Sequence, residues 1–417
     1  MPRVLPQDTA DMAVSFFMSS YIGTRKPASG EDLERDYLDC VWPVWQRASA
    51  SSPLRPAIKA VGMAMLEAWS GINPNSPQSL ALPHYQQGLV AVRRHLQNAQ
   101  DISDDVLGAT LMLDMYESVI AFCGARPQQT QHVEGAKAMI SQRGRLIYSA
   151  ESSPRILLAI RGMLVDRALR KNQSVAGDVL SWTAEGDTIP TSPQLSLNQI
   201  QFQVANVQAS GVSLAEVSIE WKDAAALDIL ERARDLDERL MTWYSSMPES
   251  YRPVYIAKAD ISSSICSAGL YGEYCTIYKS VFVADLINKH TNSRIRMNLL
   301  IMGLAKYLNI PSSGTILVTA KNNIQYLADD ICATVPFFLG NRTKMLRLND
   351  RSVEYPQLPG QQTTAEHYDS AAAYAGFFLT RRLAELLPPF VPLRDGQREW
   401  LFGQMGRIRK VYLISPS

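Results

Sequence analysis

Two pairs of charged residues interrupt otherwise apolar helical stretches of this 417-residue sequence. Asp114 and Glu117 are the only charges between Val106 and Ala125, and their spacing of three residues places them on one face of a helix. A carboxylate buried in such a helix must be hydrogen-bonded, protonated, paired with a cation or bound to a metal ion. This pair therefore indicates either a salt bridge inside a helical bundle or a functional pocket.

The second pair is Asp285 and Lys289, which are four residues apart and share one face of a helix. An acid followed by a base at this spacing is also an ordinary surface ion pair, which stabilises a helix by only a few tenths of a kcal/mol. However, the surrounding stretch is largely apolar and leaves little polar surface for such a pair. Both interpretations, a surface ion pair and a charged site in an apolar setting, follow from the spacing.

Helical periodicity dominates the sequence and predicts an all-α fold. Over residues 223–244, apolar residues recur at steps of three and four, and Pro248 follows, which is typical of an amphipathic helix and its end. The same pattern predicts further helices, among them 268–289 and 293–308, and strand patterns of useful length are nearly absent. We expect one large, irregular helical bundle over residues 1–417.

Composition and charge exclude several classes of protein. Hydrophobic residues make up 46% of the chain and charged residues 19%, so a sizeable core is available and global disorder is excluded. The formal net charge of +1 argues against direct nucleic-acid binding by this chain. The five cysteines form no Cys-x-x-Cys or Cys/His cluster, which favours reduced thiols over a zinc site. With no signal-peptide pattern and no uncharged 20-residue stretch, we expect a cytoplasmic protein that does not associate with membranes.

Motifs of common enzyme chemistry are missing from the sequence. It contains no phosphate-binding G-x-x-x-x-G-K-S/T loop, no G-x-G-x-x-G and no G-x-S-x-G. It also contains neither H-E-x-x-H nor the D-D-x-x-D of ordinary prenyl-diphosphate enzymes. These patterns therefore assign no activity.

A set of degenerate motifs in consistent order resembles the regulatory, or middle homology, domain of fungal zinc-cluster transcription factors. The segment 103–107 leading into Tyr116 and Glu117 is similar to that family's central helix, and the segment 327–337 is similar to its best-known signature. Shorter similarities occur at His132–Ala136, at Asn288 with Arg294, at Ala373–Phe378, and at Arg398 with Trp400. The resemblance runs from about residue 8 to residue 413 and implies an all-helical regulatory fold.

The sequence departs from that family at its start. The family's DNA-binding regulators carry an N-terminal zinc cluster of six cysteines, whereas this sequence has one cysteine, Cys40, in its first hundred residues. We therefore expect the regulatory scaffold without the DNA-binding zinc cluster. Some relatives without the cluster are unconventional sesquiterpene cyclases, the humulene synthases of fungal secondary metabolism. They use magnesium and an essential lysine that acts on the substrate diphosphate.

The resemblance to the humulene synthases implies that farnesyl diphosphate is converted to a macrocyclic hydrocarbon with Mg²⁺ as cofactor. Lys289 looks like the family's lysine, so it is the expected catalytic and diphosphate-binding residue, with Arg294 as a second diphosphate ligand. We infer that Asp285, Asp114 and Glu117 are the magnesium ligands, because Mg²⁺ binds carboxylate oxygens together with substrate phosphates.

A cyclase would also need a dry apolar pocket, because the carbocation formed after ionisation is stabilised by aromatic faces. The side chains expected to line it are Tyr116, Tyr271, Tyr274, Tyr278 and Phe282, although each also suits an ordinary core. The alternative function is a nuclear transcription regulator or co-regulator that lacks its zinc cluster and responds to a small effector or a partner. The motifs themselves are specific for the fold and weak for the activity.

Overall fold

The computed structural model describes residues 9–22, 37–98, 102–124, 131–143, 153–177, 179, 192–345 and 350–412. These residues form fourteen α-helices and one two-stranded hairpin, which confirms the predicted all-α fold. The helices of the first half are α1 (Thr9–Phe17), α2 (Val41–Arg47), α3 (Leu54–Trp69), α4 (Ala81–Asn98), α5 (Asp104–Gly124), α6 (Gln131–Arg143) and α7 (Ser153–Lys171). Those of the second half are α8 (Pro193–Ser213), α9 (Ile219–Ser245), α10 (Ser263–Gly269), α11 (Val281–Leu308), α12 (Ser313–Leu339), α13 (Ala365–Ala384) and α14 (Gln397–Tyr412). The strands are β1 (Val254–Ala257) and β2 (Tyr274–Ile277).

Helix α5 is a core helix of the first half of the chain and packs against α3, α4, α6 and α7. It is apolar on nearly every side, as its sequence predicts, and buries residues around its whole circumference. Among the described residues it is the one helix long and apolar enough to cross a membrane, but 72% of its apolar window is buried inside the protein. Such burial is the expected state of an all-round apolar helix in the core of a helical protein.

Helix α11 has the corresponding place in the second half, where it packs against α8, α9, α12 and α13. It begins after Ser280, whose hydroxyl oxygen accepts a hydrogen bond from the Val283 N–H at 3.2 Å. It ends at Asn309, which adopts a left-handed conformation with φ of 45°. The helix therefore positions Asp285 and Lys289 within its first three turns.

The prediction of two helices over residues 268–289 and 293–308 is wrong. Helix α10 ends at Gly269, and Gly272 has φ of +75°, a conformation that side chains other than glycine rarely adopt. The chain then forms β2, which pairs antiparallel with β1 and places Ala257 opposite Tyr274. The expected break before Ser293 does not occur, and its hydroxyl group donates a hydrogen bond to the Lys289 carbonyl within one long helix.

Helix α13 joins the two halves of the molecule. It packs against α11, α12 and α14, and also against the π-helical turn Met18–Ile22 that follows α1. The Tyr374 hydroxyl of α13 donates a hydrogen bond to the Tyr21 carbonyl in that turn. One face of α13 therefore lies beside Asp285 of α11, and another closes a space beside α3 and α5.

Candidate functional site

Asp285 lies in a buried charge cluster with Lys289 and Arg382. The Lys289 Nζ atom is 3.0 Å from Asp285 Oδ2, and the Arg382 Nε atom is 2.8 Å from Asp285 Oδ1. Asp285 is 2% exposed, so this is a buried ion pair rather than a surface one. Burial alone would raise the pKa of Asp285, but Arg382 and Lys289 outweigh burial and hold this pKa below its ordinary value. The carboxylate is therefore ionised and paired with two cations.

Lys289 also borders a small pocket beside this cluster. Its side chain is 26% exposed, and the rings of Phe282, Phe378 and Tyr251 line the same pocket. The cavity volume is about 20 Å³. A single water molecule needs roughly 10–15 Å³ on this measure, so the pocket admits little more than one water and is too small for a fifteen-carbon chain.

Arg294 lies on α11 but is held by another partner. Its Nε and Nη2 atoms donate to the two carboxylate oxygens of Asp237 on α9, at 2.8 and 3.2 Å. His290, one turn earlier, stacks on Trp243 and its Nε2 atom contacts the Leu240 carbonyl at 2.9 Å. This face of α11 therefore packs against α9, and Arg294 is separated from Lys289 by the helix itself.

The two acids of α5 have different surroundings. Asp114 is 3% exposed. Burial raises the pKa of Asp114 to about 6, although Arg381, Arg170 and Arg167 lower it. Glu117 lies beside the hydroxyl group of Tyr85 on α4. The two carboxylates remain neighbours on α5, and Glu117 is one of the charges that raise the pKa of Asp114.

The carboxylates predicted to bind magnesium do not form a group of metal ligands. Within the described ranges, no three Asp, Glu, His or Cys side chains are grouped as metal ligands. Asp285 is already neutralised by Arg382 and Lys289, and Asp114 has different charged neighbours. In this arrangement the predicted ligand set does not fit a shared Mg²⁺ site, because cations occupy the place that the metal would take.

Of the five aromatic side chains predicted to line a pocket with Lys289, Phe282 does so. The other four pack elsewhere: Tyr116 on Tyr85 at 4.4 Å, Tyr271 on Trp400 at 5.1 Å, Tyr274 on Tyr255 at 5.5 Å, and Tyr278 on Phe337 at 6.0 Å between ring centroids. The physical reason is the break after Gly269, because the three tyrosines from 271 to 278 would share a face only on a continuous helix.

A larger cavity, here called the apolar cavity, lies between α3, α5, α13, α14 and the turn after α1. Its volume is about 80 Å³. Fourteen residues line it: Tyr21, Leu38, Met65, Ala68, Trp69, Met115, Ser118, Val119, Phe122, Cys123, Ala373, Tyr374, Phe377 and Tyr412. A cavity of about 150 Å³ lined by aliphatic and aromatic side chains binds benzene, so this one admits a small apolar group or one end of a longer ligand.

Polar groups in the wall of the apolar cavity are neutral. The Trp69 Nε1–H donates to the Tyr21 hydroxyl oxygen at 3.0 Å, and the Tyr412 hydroxyl donates to the Ala371 carbonyl at 2.9 Å. Burial raises the pKa of the Cys123 thiol to about 12, so this group is uncharged at neutral pH. The cavity therefore suits an apolar ligand group with few hydrogen bonds.

The sequence patterns did not indicate this cavity or the pairing of Asp285 with Arg382. The signal closest to it was the stretch Ala373–Phe378, which contributes Ala373, Tyr374 and Phe377 to the wall. In the sequence, that stretch resembles the family's closing helices and does not by itself indicate a cavity. The remaining wall residues come from distant parts of the chain, and Arg382 is 97 positions from Asp285.

One segment of the chain is similar to a known protein family. Residues 40–164 match the family model described as a fungal specific transcription factor domain. No curated protein and no solved structure matches the chain significantly. Eight of the fourteen cavity residues, Met65 to Cys123 in the order given above, lie within the matched segment. The molecule is thus an all-helical protein with a segment similar to fungal transcription-factor domains.

Proposed function

We propose that this protein is a regulator of the fungal transcription-factor type, active in the nucleus, whose helical domain binds a small and largely apolar effector. The observation that carries this proposal is the apolar cavity, with six aromatic rings in its wall. Ligand sites in proteins are concave, mostly apolar and supplied with few polar groups, and this cavity has that composition. The match of residues 40–164 to the transcription-factor family supports the regulatory role.

The position of the cavity explains how ligand binding could change the arrangement of the helices. Its wall combines Trp69 of α3 and Phe122 of α5 with Phe377 of α13 and Tyr412 of α14. A ligand held between elements from both halves of the chain binds more tightly to the arrangement in which those elements fit it. Such differential affinity shifts the population of the two arrangements, and this is what an effector-responsive domain requires.

The test uses a variant that fills the cavity. Ala373 lines it on α13, whereas the neighbouring Ala372 is not among its lining residues, so Ala372→Leu is the matched control. We expect 1-octanol to raise the unfolding temperature of the wild-type protein and of Ala372→Leu, and to have little effect on Ala373→Leu, because stabilisation requires binding to the native state. Equal stabilisation of both variants would reject the cavity as the ligand site.

The second candidate function is the sesquiterpene cyclase. The observation that favours it is the half-buried ammonium group of Lys289, which meets the rings of Phe282 and Phe378 at one small pocket. An ammonium group of this kind neutralises an anionic leaving group, and aromatic faces stabilise carbocations. Because the carboxylates do not fit a shared metal site, only the role of Lys289 is proposed.

Incubation with farnesyl diphosphate and magnesium, followed by headspace analysis, separates the two functions. The cyclase requires a hydrocarbon product that disappears in Lys289→Ala while the helical circular dichroism remains. Absence of product with the wild-type protein across the common prenyl diphosphates rejects the cyclase. An active Lys289→Ala variant would remove this lysine from the mechanism.

A further inference from the structure

Arg342 lies directly after α12 and is buried without an acidic partner. Arg342 is 6% exposed, and its Nε and Nη1 atoms have no hydrogen-bond partner in the part of the chain that the structure describes. None of the ion pairs among these residues includes Arg342. Burial of an unpaired guanidinium group costs several kcal/mol unless a counter-charge binds there, so this position needs an explanation.

A second buried arginine nearby shows the contrast. Arg407 is 9% exposed, but all three of its nitrogens donate: Nε to the Arg342 carbonyl at 2.6 Å, Nη2 to the Gly340 carbonyl at 2.5 Å, and Nη1 to Gln404 at 3.1 Å. These carbonyl groups follow the C-terminal end of α12, where the helix dipole favours a cation. Arg407 therefore has a structural role, and Arg342 does not share it.

Other polar groups without partners surround Arg342. The Arg342 Cζ atom lies 5.8 Å from the ring centroid of Tyr355, and that ring is 4.5 Å from the ring of His367. Tyr355 Oη and His367 Nε2 are buried and, like the two Arg342 nitrogens, have no hydrogen-bond partner among the described residues. Because buried polar groups in native proteins are nearly always satisfied, these neighbouring residues carry hydrogen-bonding groups that a polar ligand could use.

This cluster adjoins the apolar cavity. The Tyr412 ring forms part of the cavity wall, and its hydroxyl group lies within hydrogen-bonding reach of Arg342. The segment that carries Arg342 also touches the end of α3, since the Met345 methyl group lies 3.4 Å from the position of a Cβ at Gly71. Trp69 of the cavity wall is two residues from Gly71. Tyr412 therefore lies between the apolar cavity and Arg342.

We propose that Arg342 binds the carboxylate of an amphipathic effector whose hydrocarbon part occupies the apolar cavity. This inference rests on the proposed function and specifies the chemical class of the effector. The free Nε–H and Nη1–H groups of Arg342 point in different directions, so one of them donates to a carboxylate oxygen, and the Tyr355 hydroxyl supplies a further donor. Charge-assisted hydrogen bonds of this kind are roughly twice as strong as neutral ones, so the acid binds more tightly than the corresponding alcohol.

The experiment compares octanoate with 1-octanol by isothermal titration of the full chain. We expect octanoate to bind the wild-type protein about tenfold or more tightly than 1-octanol, the lower end of what hydrogen bonds to a charged group contribute. In Arg342→Gln the affinity for octanoate falls by at least about tenfold, while that for 1-octanol stays unchanged. Arg351→Gln is the control, because Arg351 is an exposed arginine that pairs with Asp369 on the surface.

Two results would overturn this inference alone: equal affinity of the wild-type protein for the acid and the alcohol, or an unchanged octanoate affinity in Arg342→Gln. If neither compound binds, the proposed function fails as well. Without ligand, Arg342→Gln should unfold no more easily than the wild-type protein, since it removes a buried charge that lacks a partner. A clear loss of stability would show that Arg342 has a structural role and would also overturn the proposal. Arg342→Lys retains the positive charge and should keep part of the preference for octanoate, and loss of that preference would count against an ionic contact.

Discussion

Arg382 and Arg342 are both buried, at 4% and 6% exposure, but their surroundings differ. Arg382 donates to both oxygens of Asp285, at 2.8 and 3.4 Å, and Lys289 approaches the same carboxylate. Arg342 has no carboxylate partner among the described residues, and two of its nitrogens make no hydrogen bond. A matched buried charge is explained by the fold itself, whereas an unmatched one points to a partner from outside the chain.

The matched region extends beyond Asp285. Asp166 of α7 is 3.2 Å from Arg170 and 3.3 Å from Arg381, and Arg296 of α11 is 2.9 Å from Glu385. These pairs connect α7, α11 and α13, so they fix helix positions relative to each other. The unmatched region lies instead around Arg342, beside Tyr412 of the cavity wall. The structure therefore assigns packing to the first region and favours ligand binding at the second.

The largest effect is expected from breaking the matched region at Arg382. Arg382→Leu leaves Asp285 buried with Lys289 as its remaining partner, and removal of one member of a buried ion pair costs about 3–5 kcal/mol. Denaturant unfolding should show this loss. The double variant Arg382→Leu/Asp285→Leu should recover much of it, because no uncompensated charge remains.

The surface pair of Arg351 and Asp369 is the control for that experiment. Their side chains are 43% and 56% exposed, so Arg351→Leu should cost no more than about 1 kcal/mol. A similar cost for Arg382→Leu and Arg351→Leu would show that the buried cluster is not what holds α11 to α13.

An intermediate effect is expected from the titration of Asp114. Since its pKa in the folded protein is about 6 and lies above that of the unfolded chain, the native state binds more protons between about pH 4 and pH 6. Stability contributed by the protonated form is present below this range and is lost as the pH rises through 6. Asp114→Asn should therefore be more stable than the wild-type protein above pH 6, by up to about 3 kcal/mol.

Unfolding at pH 4 and pH 8 checks this sign. The gain from Asp114→Asn should be small at pH 4 and reach its full value at pH 8. Asp105→Asn, at the first turn of the same helix, is the control. A loss of stability at pH 8 in Asp114→Asn would show that ionised Asp114 is held by the arginines more strongly than burial opposes it.

The smallest effect is expected from Lys289→Ala. Asp285 keeps its two hydrogen bonds from Arg382, and the lysine is 26% exposed, so the cost should be about 1.5 kcal/mol, the lower end of what one hydrogen bond to a charged group contributes. Affinity for 1-octanol should not change, because Lys289 is not among the residues that line the apolar cavity. A change of that affinity would show that the Asp285 cluster and the apolar cavity act as one site, and it would contradict the different roles given to the two regions.

Much of the fold follows from local patterns. The burial of α5 follows from its uninterrupted apolar residues, and the extent of α9 follows from its amphipathic spacing and from Pro248. The hairpin was missed because Tyr271, Tyr274 and Tyr278 happen to fall at helical spacing, and a four-residue strand offers too short an alternation to compete with it.

The candidate site was predictable only within one helix. The contact of Lys289 with Asp285 follows from their spacing of four residues. Arg382 pairs with the same carboxylate across 97 positions, and Arg342 meets Tyr355 and Tyr412 through tertiary packing. Local spacing sets the neighbours on one helix, whereas the charge balance of a buried group depends on all the helices around it.

The claim that the apolar cavity is the ligand site is tested most directly by alkylating two cysteines in one sample. Both are free and partly exposed, but Cys123 lines the cavity and Cys266 lies on α10. With 1-octanol at about ten times its dissociation constant, iodoacetamide should modify Cys123 about tenfold more slowly, as read by peptide mass spectrometry. The rate at Cys266 should stay the same. An unchanged rate at Cys123 under saturating 1-octanol would contradict the assignment of this cavity.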